Sequence, residues 1–196
     1  MTQLEIVNLA LHRLGDRRAL ANLTGTDPVT TAVLATYPVA RELLLVSYAW
    51  PFATTTMTLM DAPESYPMWA YAYVYPTSTL RVLRVFNENT EEGQSESFKV
   101  QATENASGRR ILTGISPAYC EYIANVTDET VFPRVFADTL SWLLAAELAL
   151  PLSTDADLQQ ALQKTYLERL GNATALAARE RFVPIVQPSR YREARR

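Results

Sequence analysis

The chain has 196 residues, 48% of them hydrophobic and 20% charged, which is enough to bury one substantial core in one or two small domains. A formal net charge of −3 excludes a surface built throughout to hold nucleic acid and leaves room only for a local basic patch. Cys120 is the single cysteine, so no internal disulfide can form, and packing alone must hold the fold, as in a reducing cytoplasm.

Residues 2–15 carry Glu5, His12 and Arg13 among their apolar positions, which is unlike the unbroken apolar core of a signal peptide. No uninterrupted apolar run approaches the roughly 20 residues of a bilayer span. The expectation is therefore a soluble chain with no membrane partner.

Thr2 and Glu5 stand at capping-box spacing, and Leu4, Val7, Leu11 and Leu14 recur at helical steps before Gly15. That pattern predicts a first amphipathic helix. A second starts at Asp27 and Pro28, a carboxylate cap followed by a proline suited to the first turn. Val33, Tyr37, Ala40, Leu44 and Tyr48 line one face of it. Pro38 removes a donor inside this pattern and predicts a bend or a restart near Tyr37.

From Trp50 the period changes. Residues 68–75 alternate Trp69, Tyr71, Tyr73 and Tyr75 with Met68, Ala70, Ala72 and Val74, which predicts a strand with both faces buried. Residues 80–86, 98–102, 110–113 and 118–126 read as further strands between turn-rich segments. Helical spacing returns at Phe136, Leu140, Leu143, Leu144 and Leu148, with an end expected at Pro151. Thr154 and Asp157 then predict the cap of a last helix, whose apolar face is Leu158, Leu162, Tyr166, Leu170, Ala173 and Ala177.

These elements make an α+β protein. The expected architecture is a four-helix bundle from residues 1–50 and 127–178, with a small antiparallel β module at 51–126 inserted between its halves. Trp50, Pro51 and Phe52 fall at the joint between the two, where proline fixes the direction of the chain. Residues 179–196 are expected to form an extended basic tail, because Pro184 and Pro188 oppose regular helix. Six arginines against two glutamates give this stretch +4, while the preceding 178 residues carry −7. A basic, core-poor end on an acidic body suits ordering by a partner, and its candidate docking residues are Arg179, Arg181, Arg190, Tyr191, Arg192, Arg195 and Arg196.

Chemistry-bearing patterns are scarce. His12 is the single histidine, and no Gly-x-Ser-x-Gly turn accompanies it. A His12–Cys120 dyad competes with the plainer reading of a helix-surface histidine and a buried strand cysteine. One histidine and one cysteine cannot build a zinc site, and Glu88, Glu91, Glu92 and Glu96 lack calcium-loop spacing. None of the six glycines stands in a phosphate-binding pattern. Asp155 and Asp157 could flank a glycosidic bond, yet a first helical turn explains them as well. No catalytic, metal or cofactor residue is therefore assigned, and no cofactor is expected.

Several strings in order carry a resemblance. Tyr37-Pro38-x-Ala40-Arg41 leads into Trp50-Pro51-Phe52-Ala53, and Trp69-Ala70-Tyr71-Ala72-Tyr73 leads into Pro76 and Leu80-Arg81-Val82-Leu83-Arg84-Val85. Arg110-Ile111-Leu112-Thr113, Val126-Thr127-Asp128 with Phe132, and Leu143-Leu144-Ala145-Ala146-Glu147-Leu148-Ala149 complete the set. Over about residues 3–178 the chain resembles the tail tubular protein A family, the head-to-tail adaptor of short-tailed phages.

The resemblance implies a structural, non-enzymatic subunit of a ring of twelve between portal protein and tail nozzle protein. Such a ring lines a channel for DNA that passes without sequence specificity, and it would reside in the virion neck after synthesis in the host bacterial cytoplasm. Ring formation is a head-to-tail contact that closes. Two other classes remain open: a tail-associated glycan hydrolase resting on carboxylates and aromatics, and a DNA-binding accessory protein resting on the arginine tail.

Overall fold

The computed structural model describes residues 1–15, 19–91, 93–104, 106 and 108–180. Among the described residues there are four helices: α1 (Gln3–Arg13), α2 (Pro28–Ser47), α3 (Arg134–Ser153) and α4 (Ala156–Glu180). Between α2 and α3 the chain forms β1 (Thr54–Thr58), β2 (Tyr71–Val74), β3 (Thr79–Phe86), β4 (Phe98–Ala102), β5 (Arg109–Thr113) and β6 (Tyr119–Ala124). The strands make two antiparallel three-stranded sheets, ordered β1-β6-β3 and β2-β5-β4. The protein is therefore α+β.

The helix starts follow their chemistry. Thr2 and Glu5 complete a reciprocal capping box on α1, and the Asp27 carboxylate accepts from the Val29 and Thr30 amides at the start of α2. These contacts satisfy amides that have no partner within the helix. Pro38 neither ends nor restarts α2, which runs unbroken to Ser47. The proline and Leu34, whose carbonyl loses its donor, both lie on the exposed side, where water can replace the lost bond.

Two expectations at the α3–α4 corner are corrected. Pro151 does not stop α3, which continues to Ser153 and ends on Thr154 with a φ of 55°. Thr154 is thus the left-handed C-terminal cap of α3, and the Asp155 carboxylate accepts from the Leu158 amide, 3.0 Å away, to start α4. α4 in turn includes Arg179 and Glu180, two residues of the stretch expected to be extended.

α1, α2 and α4 each pack on α3. Ile6, Leu11, Val33, Leu44, Leu140, Leu144 and Leu162 belong to one continuous core, which also takes in Ile123 of β6. β6 alternates: Cys120, Tyr122 and Ala124 turn into a second core between the sheets, and Ile123 turns towards the helices. β3 follows suit through two register shifts, between Thr79 and Arg81 and between Val82 and Arg84. Each shift changes the phase of the pleat, so Leu80 and Leu83 reach the helical core and Val82 and Val85 the inter-sheet core.

The aromatic strand is shorter and less buried than its alternation predicts. Tyr73 is buried, but Tyr71 is exposed and Met68 is 100% exposed at a φ of 72°. Tyr71 shares its face with buried Tyr73, so that face is covered only at its far end, and Ala72 and Val74 on the other face are half-buried. β1 was not expected at all: its Thr-Thr-Thr-Met-Thr sequence carries β-branched side chains suited to an edge strand, with too few apolar positions to alternate.

Candidate functional site

The structure places Tyr37, Arg41, Trp50, Pro51, Phe52 and Phe132 around one junction, while the strings at 69–73 and 110–113 belong to the β2-β5-β4 sheet. Trp50 is 2% exposed, and its indole Nε1–H donates to the Leu44 carbonyl at 2.8 Å. Pro51 and Phe52 are half-buried in a short 3-10 turn that carries the chain from α2 into β1. The Trp50 and Phe136 rings meet edge-on at 5.1 Å, Phe52 and Phe136 at 4.8 Å, and Phe132 and Phe136 at 4.9 Å. Edge-to-face contacts of this kind contribute beyond simple burial. Phe136 thereby ties the start of α3 to the end of α2.

A polar cluster sits beside these rings. The Tyr37 hydroxyl donates to Glu129 at 3.1 Å. Arg41 Nη2 donates to Asn125 Oδ1 at 3.3 Å, and the Asn125 amide donates to Glu42 at 2.9 Å. Burial, reinforced by Glu129, drives the Tyr37 hydroxyl well above the ordinary phenol range. Tyr37 and Arg41 thus anchor α2 to the segment that leaves β6, and the motif residues have a structural task. Arg13 does the same for α1: it stacks 4.1 Å over Trp142, donates to the Asp138 carbonyl at 2.9 Å and pairs with the Asp138 carboxylate. Sequence reasoning missed this tie, because nothing in the local pattern of α1 points to a partner more than a hundred residues away.

The candidate chemical groups are not assembled into a constellation. His12 is exposed on the last turn of α1, and Cys120 is buried in the inter-sheet core. Burial pushes the Cys120 thiol up to about 11, so near neutrality it stays protonated and a poor nucleophile. Asp155 caps α4. Among the described residues no group of three histidine, cysteine or acidic side chains is placed to hold a metal ion.

Of the expected docking residues, Arg179 lies exposed on the last turn of α4. Arg181, Arg190, Tyr191, Arg192, Arg195 and Arg196 lie outside the described residues.

A larger surface went unpredicted. α2 buries Val33, Tyr37, Ala40 and Leu44 on one side, while Leu34, Val39 and Leu43 on the other are 44%, 56% and 56% exposed. Ala35 and Pro38 fill the gaps between them, and Glu42 is the charged residue on this side. By length and composition both α2 and α3 also reach what a bilayer span requires. The run-by-run reading missed this because isolated charges such as Arg41 and Glu147 interrupt each segment. α3 is explained as a core helix; among the described residues nothing covers the outer face of α2, where Val39 and Leu43 stay exposed.

No protein-family model matches the chain, and no curated protein matches it.

Proposed function

We propose that this chain is a structural subunit of a short-tailed phage neck, one copy in a ring, of twelve by its resemblance, that joins portal to tail nozzle around the DNA channel. In this reading the four helices act as one bundle around α3, and residues 51–126 are a β module held to it through Trp50, Pro51 and Phe52. The chain carries out no catalysis of its own.

The observation that supports the reading best is the outer face of α2. Val39 and Leu43, one turn apart, form an exposed apolar patch away from Val33, Tyr37 and Leu44, and Leu34 lies at the other edge of the exposed half of the helix beyond Glu42. Contiguous exposed apolar surface is what protein–protein contacts use, and Val39 and Leu43 with Ala35 are this helix's contribution to one. A subunit of a closed ring needs such a face, set against a different surface of its neighbour. The resembled strings support the same reading from another side, since Tyr37, Arg41, Trp50 and Phe52 hold helices and sheets in a fixed relation. The arginines of residues 179–196 are this reading's contact with the portal, because arginine can pair bidentately with carboxylates.

Negative-stain imaging of the purified protein, alone and mixed with portal rings, tests the proposal. Closed rings that stack coaxially on the portal are the expected result. Monomers under both conditions sink it, and turnover of a capsular polysaccharide abolished by Asp157→Asn supports the glycan hydrolase instead.

A further inference from the structure

A groove of about 340 Å³ runs between the first turns of α3 and the C-terminal half of α4. A cavity of roughly 150 Å³ already takes a benzene-sized group, so this one has room for two aliphatic side chains. Val135 and Leu176, 39% and 46% exposed, present apolar surface in it. Arg134 and Arg169 also line it, both exposed and without a hydrogen bond or ion pair among the described residues. The Asp138 carboxylate in the lining is already paired with Arg13, so the groove keeps an excess of positive charge. Arg134 is moreover the first residue of α3, which has no acidic residue in its first turn and no side-chain cap. The helix dipole disfavours a cation there and favours a carboxylate brought from outside.

The outer face of α2 has the converse chemistry. Val39 and Leu43 stand one turn apart, about 6 Å along the axis, and both are 56% exposed. Glu42 adjoins them: its Oε1 accepts from Asn125, while its Oε2 makes no hydrogen bond among the described residues. Resting on the ring reading, we infer that the α3–α4 groove is where a second copy of this chain docks the outer face of its α2, with Val39 and Leu43 on Val135 and Leu176 and Glu42 against Arg134 and Arg169.

Charge and topology select this occupant. An apolar centre with opposite charges at its rim is how specific protein contacts are built. DNA phosphates would match the two arginines and leave Val135 and Leu176 unmatched. Within one chain, α2 packs towards α3 through Val33, Tyr37 and Leu44, so its outer face is turned away from its own groove. The contact therefore joins two different surfaces of two copies, the head-to-tail kind that closes rings, and not the like-to-like kind of a two-fold dimer.

Two full-length variants, each with one added surface cysteine, test the docking: Leu43→Cys and Leu176→Cys. Native Cys120 is buried and stays out of the exchange. The variants are oxidised mildly, separately and mixed, under conditions in which the parent forms rings. A disulfide-linked dimer that forms in the mixture and in neither variant alone is expected. Dimers of Leu43→Cys alone would show that like faces pair and overturn the proposal, as would rings in the mixture without the mixed dimer. Charge reversal gives a readout independent of the cysteines. Glu42→Arg should weaken subunit association by about tenfold or more, and adding Arg134→Glu with Arg169→Glu to the same chain should restore most of it. Rings that tolerate Glu42→Arg, or a loss that the second reversal does not recover, overturn the docking and leave the ring reading standing. A parent that forms no rings under any condition overturns both.

Discussion

α2 and α3 are close to twins in sequence: each has 20 residues, a proline in its interior and apolar content sufficient for a bilayer span. Their fates differ. α3 receives three other helices, with Leu140, Leu144, Ala145 and Leu148 all buried. α2 is covered on one side by α3 and β3 and leaves Leu34, Val39 and Leu43 in solvent. Composition states how much apolar surface a helix carries, and the fold decides how much of it finds a partner inside the chain. The uncovered remainder on α2 is what the assembly reading uses.

The comparison breaks most easily at α3. Leu144→Ala should cost about 2–5 kcal/mol, the usual range for emptying a packed leucine site, measured from denaturant midpoints. A cost near zero would mean that α3 is not the hub of the helical core.

Alkaline titration probes the buried face of α2 and the inter-sheet core together. Burial raises the Cys120 thiol from 9.0 to about 11 and drives the Tyr37 hydroxyl well above its usual 10.0. Because both are raised in the folded state, the unfolded chain loses these protons first as pH increases. Their contribution is whole below about pH 9 and shrinks as pH rises above it towards the folded values. Urea midpoints should hold steady up to that pH and then fall, with a shallower fall in Cys120→Ala.

A smaller effect belongs to Tyr37→Phe, which removes the donor to Glu129 and keeps the ring. The expected loss is about 0.5–1.5 kcal/mol, and melting of the variant against the parent at neutral pH reads it out. The smallest effect is assigned to the outer face of α2: Leu43→Ala should change the stability of the isolated subunit by no more than about 0.5 kcal/mol. A loss as large as that of Leu144→Ala would show that the outer face is covered within the chain, and the contrast between the helices would disappear.

Much of the fold is legible locally. The caps at Thr2 and Asp27 and the apolar faces of all four helices follow from spacing, because a helix satisfies its own backbone and its pattern repeats within one element. Five strands were found at nearly their observed positions. What stayed hidden depends on partners distant in sequence. β1 is held by pairing to β6, some sixty residues away, and its threonine-rich string lacks an apolar alternation of its own. The phase of β3 depends on two bulges against β6, and no residue in β3 announces them. Thr154 looked like a helix start because it precedes Asp157 by three residues, while the backbone uses it to end α3 and gives the cap to Asp155. Of the candidate site, the junction at Trp50 and Phe52 could be read from aromatics next to a change of period. The exposed half of α2 could not, since a helix apolar on two sides does not say which side the fold will cover.

The central claim is that the outer face of α2 is where neighbouring subunits meet. Val39→Glu with Leu43→Glu places two charges on that face without touching the core, and the measurement is the assembly state of this variant and of the parent, by native mass spectrometry with negative-stain imaging. Closed rings for the parent and folded monomers for the variant, with matching circular dichroism, are the predicted outcome. Rings of unchanged size and abundance in the variant, or a parent that stays monomeric at every concentration, would contradict the account.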